Sequence, residues 1–318
     1  MAILTVKNLT KIFVKKSFFR SEKFISVNDI SFEIEKGEIL GLLGPNGAGK
    51  TTTISMLLST LVPTSGQIYY FGKDFFNNRS SILRNVGFAT AYQKMPSELT
   101  VTQILKIFGL LYGLSKREIA EKTDEYLHLF GISDLKDKQC MGLSAGETTR
   151  VMLAKAFLSD PKIVLLDEPT ASLDPDIAHA IRKFILIQRE KKDVSFLFTS
   201  HDMSEVAELC DRVLVLKGGQ IIANNRPVEL ARQVRETKVN LLISDISGEL
   251  QSGVEGLASF LNKHGLKFEK DGNYIAIEVL ESKISWLLSE ISKAGINYTE
   301  ISINKPTLED YFLSVAKR

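Results

Sequence analysis

Short apolar runs that end at Gly, Asp or Ser alternate with amphipathic stretches along the first two thirds of the chain. This pattern is typical of a largely parallel sheet covered by helices. The predicted core strands are residues 38–43, 163–167, 195–200 and 212–217. Three further strands, joined by Pro- and Gly-containing turns, predict an antiparallel lobe beside this core at residues 3–7, 27–34 and 67–71.

Two other regions have a different pattern. Between residues 99 and 130 the apolar period becomes helical, with a capping box at Ser115 to Glu118, and we predict a helical subdomain over about residues 94–155. After residue 228 the pattern predicts strand, helix, strand, helix and strand at 238–246, 254–263, 274–280, 284–293 and 298–303. The sequence therefore predicts two domains, a large α/β domain over 1–228 and a small accessory α+β domain over 229–318.

Composition restricts the class of protein. The 40 basic and 38 acidic side chains leave a formal charge of +2, which gives no electrostatic track for nucleic acid. Cys140 and Cys210 lack the spacing of a disulfide framework or a zinc site, so we expect a reducing cytoplasm. Residues 1–7 alternate like a strand rather than a signal peptide, and the uncharged stretch 51–72 is too polar and too broken to span a membrane.

The strongest chemical signal is a phosphate loop, Gly44-Pro45-Asn46-Gly47-Ala48-Gly49-Lys50-Thr51. An apolar strand precedes the loop and a predicted helix follows it, so backbone N–H groups and the helix N-terminus can hold phosphates. Lys50 is expected to neutralise phosphate oxygens, and the Thr51 hydroxyl is expected to bind Mg²⁺. The loop predicts a bound triphosphate, but by itself it fits kinases, GTPases and helicases equally.

Two carboxylates, Asp167 and Glu168, end the predicted strand 163–167. Ligands of open α/β sheets bind at the carboxyl ends of the strands. We therefore expect Asp167 in the Mg²⁺ shell and Glu168 as the general base for the attacking water. Taken alone, the same residues fit an ordinary strand end before a turn with about equal weight.

Four other features have structural explanations when each is taken alone. Ser144 with Glu147 forms a capping box, and Asp174 before a proline forms a helix N-cap. A loop histidine such as His201 is more often structural than catalytic. Gln93 is an ordinary loop amide.

In its order of features, however, the chain resembles the nucleotide-binding subunits of ATP-binding cassette (ABC) transporters. The matching segments cover roughly residues 1–220: Walker A at 44–51, the glutamine loop at Gln93, the signature at 143–147, Walker B at 163–168, the aspartate loop at 172–174 and the switch histidine at His201. The resemblance implies a P-loop NTPase core that binds and hydrolyses ATP with Mg²⁺.

The resemblance also implies roles that spacing alone does not assign. Phe13 falls where the family places an aromatic ring against adenine. A Phe at a strand end is more often a core residue, so the two interpretations carry about equal weight. Gln93 is expected to touch Mg²⁺ and the attacking water, and His201 the γ-phosphate. Ser144 and Gly146 are expected to meet the ATP bound by the opposite subunit of a head-to-tail homodimer. The nucleotide-binding candidates are Phe13, the eight loop residues, Thr52, Ser144, Gly146 and Asp174.

The signature departs from the family pattern at two positions. Ala145 stands where the family has a glycine, and Glu147 stands where it has a glutamine. A Cβ at Ala145 restricts close approach to a phosphate, and the Glu147 carboxylate adds negative charge near ATP unless it caps Ser144. Both changes predict a weaker contact with the nucleotide of the opposite subunit. Hydrolysis is then expected to be slow, or to be productive only beside a partner with a better signature.

Two segments outside this series keep alternative interpretations. Residues 14–24 form a basic stretch interleaved with aromatics, for which a solvated hairpin loop is favoured over a contact with headgroups or a permease. Residues 306–313 form an amphipathic terminal helix with Leu308, Tyr311 and Phe312 on one face. This tail is similar to the ending of ATPases from drug-resistance and sodium-extrusion exporters, and regulation or dimer support is its expected role.

The sequence thus predicts an ATPase that acts as a homodimer at the cytoplasmic face of the cell membrane, bound peripherally to a separate permease and driving export. An importer ATPase remains an alternative. So does a soluble ATPase of the same superfamily that serves translation or DNA repair, although such proteins generally carry two cassettes or a long coiled coil. A third alternative is a subunit that binds ATP without hydrolysing it.

Overall fold

The computed structural model describes residues 1–16, 21–90, 95–171, 173–234, 236–243 and 250–316. It divides into two compact units, Met1–Pro227 and Val228–Arg318. Gln93 and Ser172, which belong to the predicted glutamine and aspartate loops, lie outside the described residues. Within the described ranges, no helix combines the length and the apolar character needed to cross a bilayer.

The elements of the first unit follow the predicted alternation. Its strands are β1 (Ala2–Lys16), β2 (Ser21–Glu35), β3 (Ile39–Leu43), β4 (Ser65–Tyr70), β5 (Lys73–Asp74), β6 (Val86–Thr90), β7 (Ile163–Asp167), β8 (Ser195–Thr199), β9 (Arg212–Lys217) and β10 (Gln220–Asn225). Its helices are α1 (Lys50–Leu57), α2 (Arg79–Leu83), α3 (Val101–Tyr112), α4 (Lys116–Leu129), α5 (Ala145–Phe157), α6 (Pro175–Lys192) and α7 (Met203–Leu209).

Two sheets build this unit. The larger has the order β10-β9-β3-β8-β7-β6 and is parallel except for β10, whereas the smaller has the order β2-β1-β4-β5 and is antiparallel. Strands β3 and β8 are buried along their whole length, as expected of central strands covered on both faces. A shared apolar core joins α1 to both sheets through residues such as Leu4, Leu42 and Ile54. The α/β architecture predicted from the sequence, a mainly parallel sheet beside an antiparallel lobe, is confirmed.

The antiparallel lobe differs from the prediction in the length of its first hairpin. Strands β1 and β2 pair as far as Lys16 and Ser21, so a loop over 14–24 is wrong for 14–16 and 21–24, and 17–20 lie outside the described residues. The pairing brings Phe13 opposite Phe24 and Ile12 opposite Ile25. Aromatic and β-branched cross-strand pairs stabilise such a ladder, which the basic residues between them obscure in the sequence.

A helical insert separates β6 from β7. Helices α3 and α4 each begin with a capping box, and Gly113 ends α3 in the left-handed region. Lys155 of α5 is 4% exposed, and its ammonium lies 5.5 Å from the ring centre of Phe88 on β6 and 5.1 Å from that of Phe108 on α3. Burial lowers the pKa of Lys155 to about 8. This cation therefore joins the insert to the strand that leads towards Gln93.

The second unit is built on a four-stranded antiparallel sheet. Its elements are α8 (Pro227–Ala231), which begins at the unit boundary, β11 (Glu236–Ile243), α9 (Leu250–Lys263), β12 (Lys267–Asp271), β13 (Tyr274–Leu280), α10 (Ile284–Lys293), β14 (Tyr298–Asn304) and α11 (Leu308–Ala316). The strand order is β12-β13-β11-β14, and α9 and α10 complete its apolar core. In the amphipathic α11, Leu308 and Tyr311 are buried, and Phe312 is partly buried.

Candidate functional site

The phosphate loop lies between the buried strand β3 and helix α1. Gly49 takes φ +106° at the N-cap of α1 and supplies no side-chain cap, so the first N–H groups of the helix are left for a ligand. A Cβ on Gly49 would lie 2.5 Å from the carbonyl oxygen of Ser26. The loop therefore requires glycine at this position, and it presents an uncapped helix N-terminus suited to an anion.

Lys50 is held within its own loop. Its ammonium donates to the carbonyl oxygen of Gly44 at 2.5 Å and to that of Pro45 at 3.4 Å. Partial burial lowers the pKa of Lys50, and the carboxylates of Glu168 and Asp167 oppose that shift. The ammonium of Lys50 thus donates to carbonyl oxygens of its own loop. The same N–H groups can bind phosphate oxygens if the side chain turns towards them.

A cleft of about 680 Å³ surrounds this loop. It is lined by the loop residues Asn46 to Thr51, by Thr52, by the paired rings of Phe13 and Phe24, and by Asp167, Glu168 and His201. The structure therefore brings together an anion-binding loop, two aromatic rings, two carboxylates and an imidazole, although they come from four separate stretches of chain. A flexible triphosphate with a planar base matches this set of groups.

The neighbouring strand β8 holds the carboxylate of Asp167 and the backbone of Glu168. Thr199 donates from Oγ1 to Oδ1 of Asp167 at 2.7 Å, and the same hydroxyl accepts from the Glu168 N–H at 3.1 Å. The Glu168 N–H also reaches the Thr199 carbonyl oxygen at 3.2 Å. Sequence reasoning missed Thr199, and the only signal for it is a hydroxyl residue at the end of an apolar strand.

Glu168 has the properties of a poised base. Its backbone φ of +56° lies in the left-handed region, which is strained for a side chain of this kind. Its Oε1 lies 3.1 Å from Nε2 of His201, whose side chain is 62% exposed. Burial raises the pKa of Glu168, and the nearby His201 opposes the shift. A carboxylate with a raised pKa accepts a proton from water more readily than an ordinary one.

The signature segment forms a closed capping box at the start of α5. Ser144 Oγ accepts from the Glu147 N–H at 3.2 Å, and Glu147 Oε2 accepts from the Ser144 N–H at 2.7 Å. The ammonium of Lys138 lies 3.2 Å from Glu147 Oε2. Hydrogen bonding from the Ser144 backbone and the nearby Lys138 lower the pKa of Glu147. The additional negative charge of this signature is therefore paired within the subunit.

Some predicted residues lie away from the cleft. Ser144 and Gly146 do not line it, and neither does Asp174. Asp174 occupies the N-cap position of α6 before Pro175, but its side chain makes no capping hydrogen bond. The site residues of one subunit therefore fall into two groups, those around the phosphate loop and those on other surfaces of the same unit.

Comparison with known proteins identifies the same family. The family model for ABC transporters matches residues 27–171, and a model for an AAA domain described as a putative AbiEii toxin matches 144–207. The Nod factor export ATP-binding protein I of Cupriavidus metallidurans is 31% identical over 100% of this chain and 98% of its own length. The bacitracin transport ATP-binding protein BcrA of Bacillus licheniformis is 30% identical over 98% and 97%. A solved ATP-binding subunit of an ABC transporter superposes with a TM-score of 0.64 at 26% identity, covering 73% of this chain and 92% of that one.

Proposed function

Because this chain belongs to the ATP-binding subunits of ABC transporters, we propose that it hydrolyses ATP in the cleft beside Lys50 and thereby drives export through a separate permease. The observation that carries the proposal is the contact between Glu168 and His201, which lie 3.1 Å apart in the cleft that the phosphate loop opens into. A nucleophilic water and a γ-phosphate at this place would have a base and a polar partner within reach.

Each group has a defined part in this proposal. The uncapped N-terminus of α1 and Lys50 bind the phosphates. Thr51 and Asp167 would hold Mg²⁺, which supplies positive charge to the phosphate oxygens. Glu168 removes the proton from the attacking water, and His201 orients the γ-phosphate. Asp167 and Glu168 keep these separate roles because Thr199 holds each by a different group. Its hydroxyl bonds to the side chain of Asp167 and to the backbone N–H of Glu168.

A head-to-tail homodimer accounts for the residues outside the cleft. Ser144, Gly146 and Asp174, whose carboxylate makes no capping hydrogen bond, would contact the ATP held by the second subunit. Each cleft is then completed by residues of the other subunit. ATP then favours the closed dimer, and hydrolysis reopens it, which is a population shift by a ligand that prefers one state. This cycle would act on a permease at the cytoplasmic face of the membrane.

Export is proposed because relatives that match nearly the whole chain are named for Nod factor export and for linearmycin resistance. Gentle solubilisation of membranes, followed by affinity purification of the tagged chain, tests the association. A polytopic permease with ATP turnover supports the proposal, and substrate efflux from cells that express the pair fixes the direction. Uptake by the same pair would establish import, and copurification with ribosomes or DNA would contradict a transport role.

The paired rings of the long hairpin give a first prediction. We expect Phe13→Ala and Phe24→Ala each to weaken ATP binding by about tenfold, since stacking of a base on a ring is worth about 1–3 kcal/mol. Titration with a fluorescent ATP analogue measures the change. Ile25→Ala is the control, because Ile25 is also exposed but does not line the cleft. If Ile25→Ala weakened ATP binding as much as Phe24→Ala, the aromatic rings would not be the groups that bind the base.

The signature gives a second prediction. Glu147→Gln can preserve the capping box, but it removes one negative charge and releases Lys138 from its ion pair. We therefore expect this variant to strengthen ATP-induced dimerisation by about threefold. Analytical ultracentrifugation with and without Mg-ATP measures this effect. Glu118→Gln is the control, because Glu118 holds the equivalent position in the capping box of α4. Weaker dimerisation for Glu147→Gln would show that the carboxylate itself supports the contact.

A further inference from the structure

One buried carboxylate outside the nucleotide cleft joins the two loops that carry the reacting groups. Glu205 of α7 is 3% exposed, and its Oε2 accepts from Oγ1 of Thr170 at 2.8 Å and from Oγ of Ser200 at 2.7 Å. Thr170 follows Glu168 by two residues, and Ser200 immediately precedes His201. A single oxygen atom therefore connects the chain next to the base with the chain next to the histidine.

The position of this carboxylate is itself determined by its neighbours. The Ser200 hydroxyl also accepts from the Asp202 N–H at 3.1 Å, which orients its proton towards Glu205. The guanidinium of Arg182, on α6, lies 3.6 Å from Glu205 Oε1 and 3.2 Å from Glu208 Oε2. The buried negative charge thus has a cation beside it, as a stable buried carboxylate requires.

The two loops are not held by dense packing at this point. A cavity of about 520 Å³ adjoins them, lined by Thr170, Ala171, Leu173, Arg182 and Glu205 together with Glu168 and His201. Side chains that border open space can shift, because no packed neighbour blocks their movement. Hydrogen bonds to Glu205 therefore restrain the separation of the two loops beyond the strand ends, where Thr199 already holds Asp167 and the Glu168 N–H.

We propose that Glu205 is a positioning residue for ATP hydrolysis, which sets the distance between Glu168 and His201 through Thr170 and Ser200. The inference rests on the ATPase site proposed above. It predicts a specific kinetic effect, because Glu205 does not line the cleft that contains the phosphate loop. Loss of the carboxylate should disturb the reacting groups and leave ATP binding intact.

The test compares Glu205→Ala with Glu205→Gln in the purified full chain. We expect Glu205→Ala to lower kcat by about 10- to 100-fold, as small displacements of catalytic groups do, while the Kd for ATP changes by less than about twofold. Glu205→Gln keeps one carbonyl oxygen for both hydroxyls, so it should recover most of the lost turnover. Assays are run well below the unfolding temperature of each variant, which is measured separately.

Glu208→Gln is the matched control, since it removes a carboxylate from the same helix and from the same arginine without touching either loop. We expect its kcat to equal that of the wild type. Wild-type kcat for Glu205→Ala would overturn the inference and leave the ATPase proposal standing, whereas an inactive wild type would overturn the ATPase proposal itself. Equal losses of kcat and ATP affinity would also overturn the inference, because they would indicate general disruption of the fold.

A double-mutant cycle gives a second measurement that does not depend on Glu205→Ala alone. If Thr170 and Ser200 act through the shared oxygen, Thr170→Val combined with Ser200→Ala should cost less in kcat than the product of the two single effects. Independent effects that simply multiply would contradict the shared restraint.

Discussion

We expect Glu168→Gln to lower ATP turnover by about 10²- to 10⁴-fold, which is the usual contribution of a positioned acid or base. The amide has nearly the same shape as the carboxylate, but it cannot accept a proton from the attacking water. Because Glu168 is 6% exposed and lies 3.1 Å from His201, an amide at this position can keep the contact with the imidazole. Phosphate release at saturating Mg-ATP measures the loss.

The companion measurement is ATP binding by the same variant. Glu168 carries negative charge towards the cleft, and its removal should leave the Kd for ATP unchanged or slightly lower. ATP-bound dimer should then accumulate, because binding proceeds and hydrolysis does not. Turnover within threefold of the wild type would show that another group removes the proton, and loss of ATP binding would assign Glu168 to holding the nucleotide.

The second large effect is expected for Gly49→Ala. The new Cβ would meet the Ser26 carbonyl oxygen at 2.5 Å, and the φ of +106° is strained for any side chain. Strand β2 or the loop has to move, and that movement would also break the contact between the Ser26 and Thr52 hydroxyls, which lie 2.8 Å apart. We expect ATP affinity to fall by at least about 100-fold, equivalent to about 3 kcal/mol.

Gly37→Ala separates the backbone strain from the steric clash. Gly37 has a φ of +74°, but nothing lies within 4 Å of a Cβ at that position, and it is remote from the cleft. We expect this control to lower the unfolding temperature modestly and to bind ATP like the wild type. Isothermal titration calorimetry and thermal unfolding of both variants make the comparison. Wild-type ATP affinity in Gly49→Ala would show that the loop adapts to a Cβ.

Strand and helix types were predictable where the apolar period is clear. Strand β7 was predicted with the bounds that it has, and helix α10 likewise, because each has a regular pattern bounded by turn residues. Strands β6 and β12 were missed, since a mostly buried strand of five residues and a mostly exposed one carry little periodic signal. The hairpin was predicted too short because basic residues alternate with its aromatic ones.

Predictions about the site divide in the same way. The phosphate loop was recognisable because its function depends on adjacent residues, and the structure gives its three glycines positive φ angles. The capping box at Ser144 was also local, and the structure contains it. In contrast, the lack of a side-chain cap at Asp174 was not predictable, since an N-cap position specifies where a residue lies and not which partner its side chain takes.

The sequence by itself determined the α/β class, the membership of the ABC family and the chemical types of the groups that would handle a triphosphate, because all three depend on local period and on the order of short segments. Only the tertiary structure decided which side chains meet. Glu168 and Thr199 are 31 residues apart, Thr170 and Glu205 are 35 apart, and Phe24 faces Phe13 only through the register of a hairpin. Such contacts are set by strand order and packing across the whole unit, which no local pattern encodes.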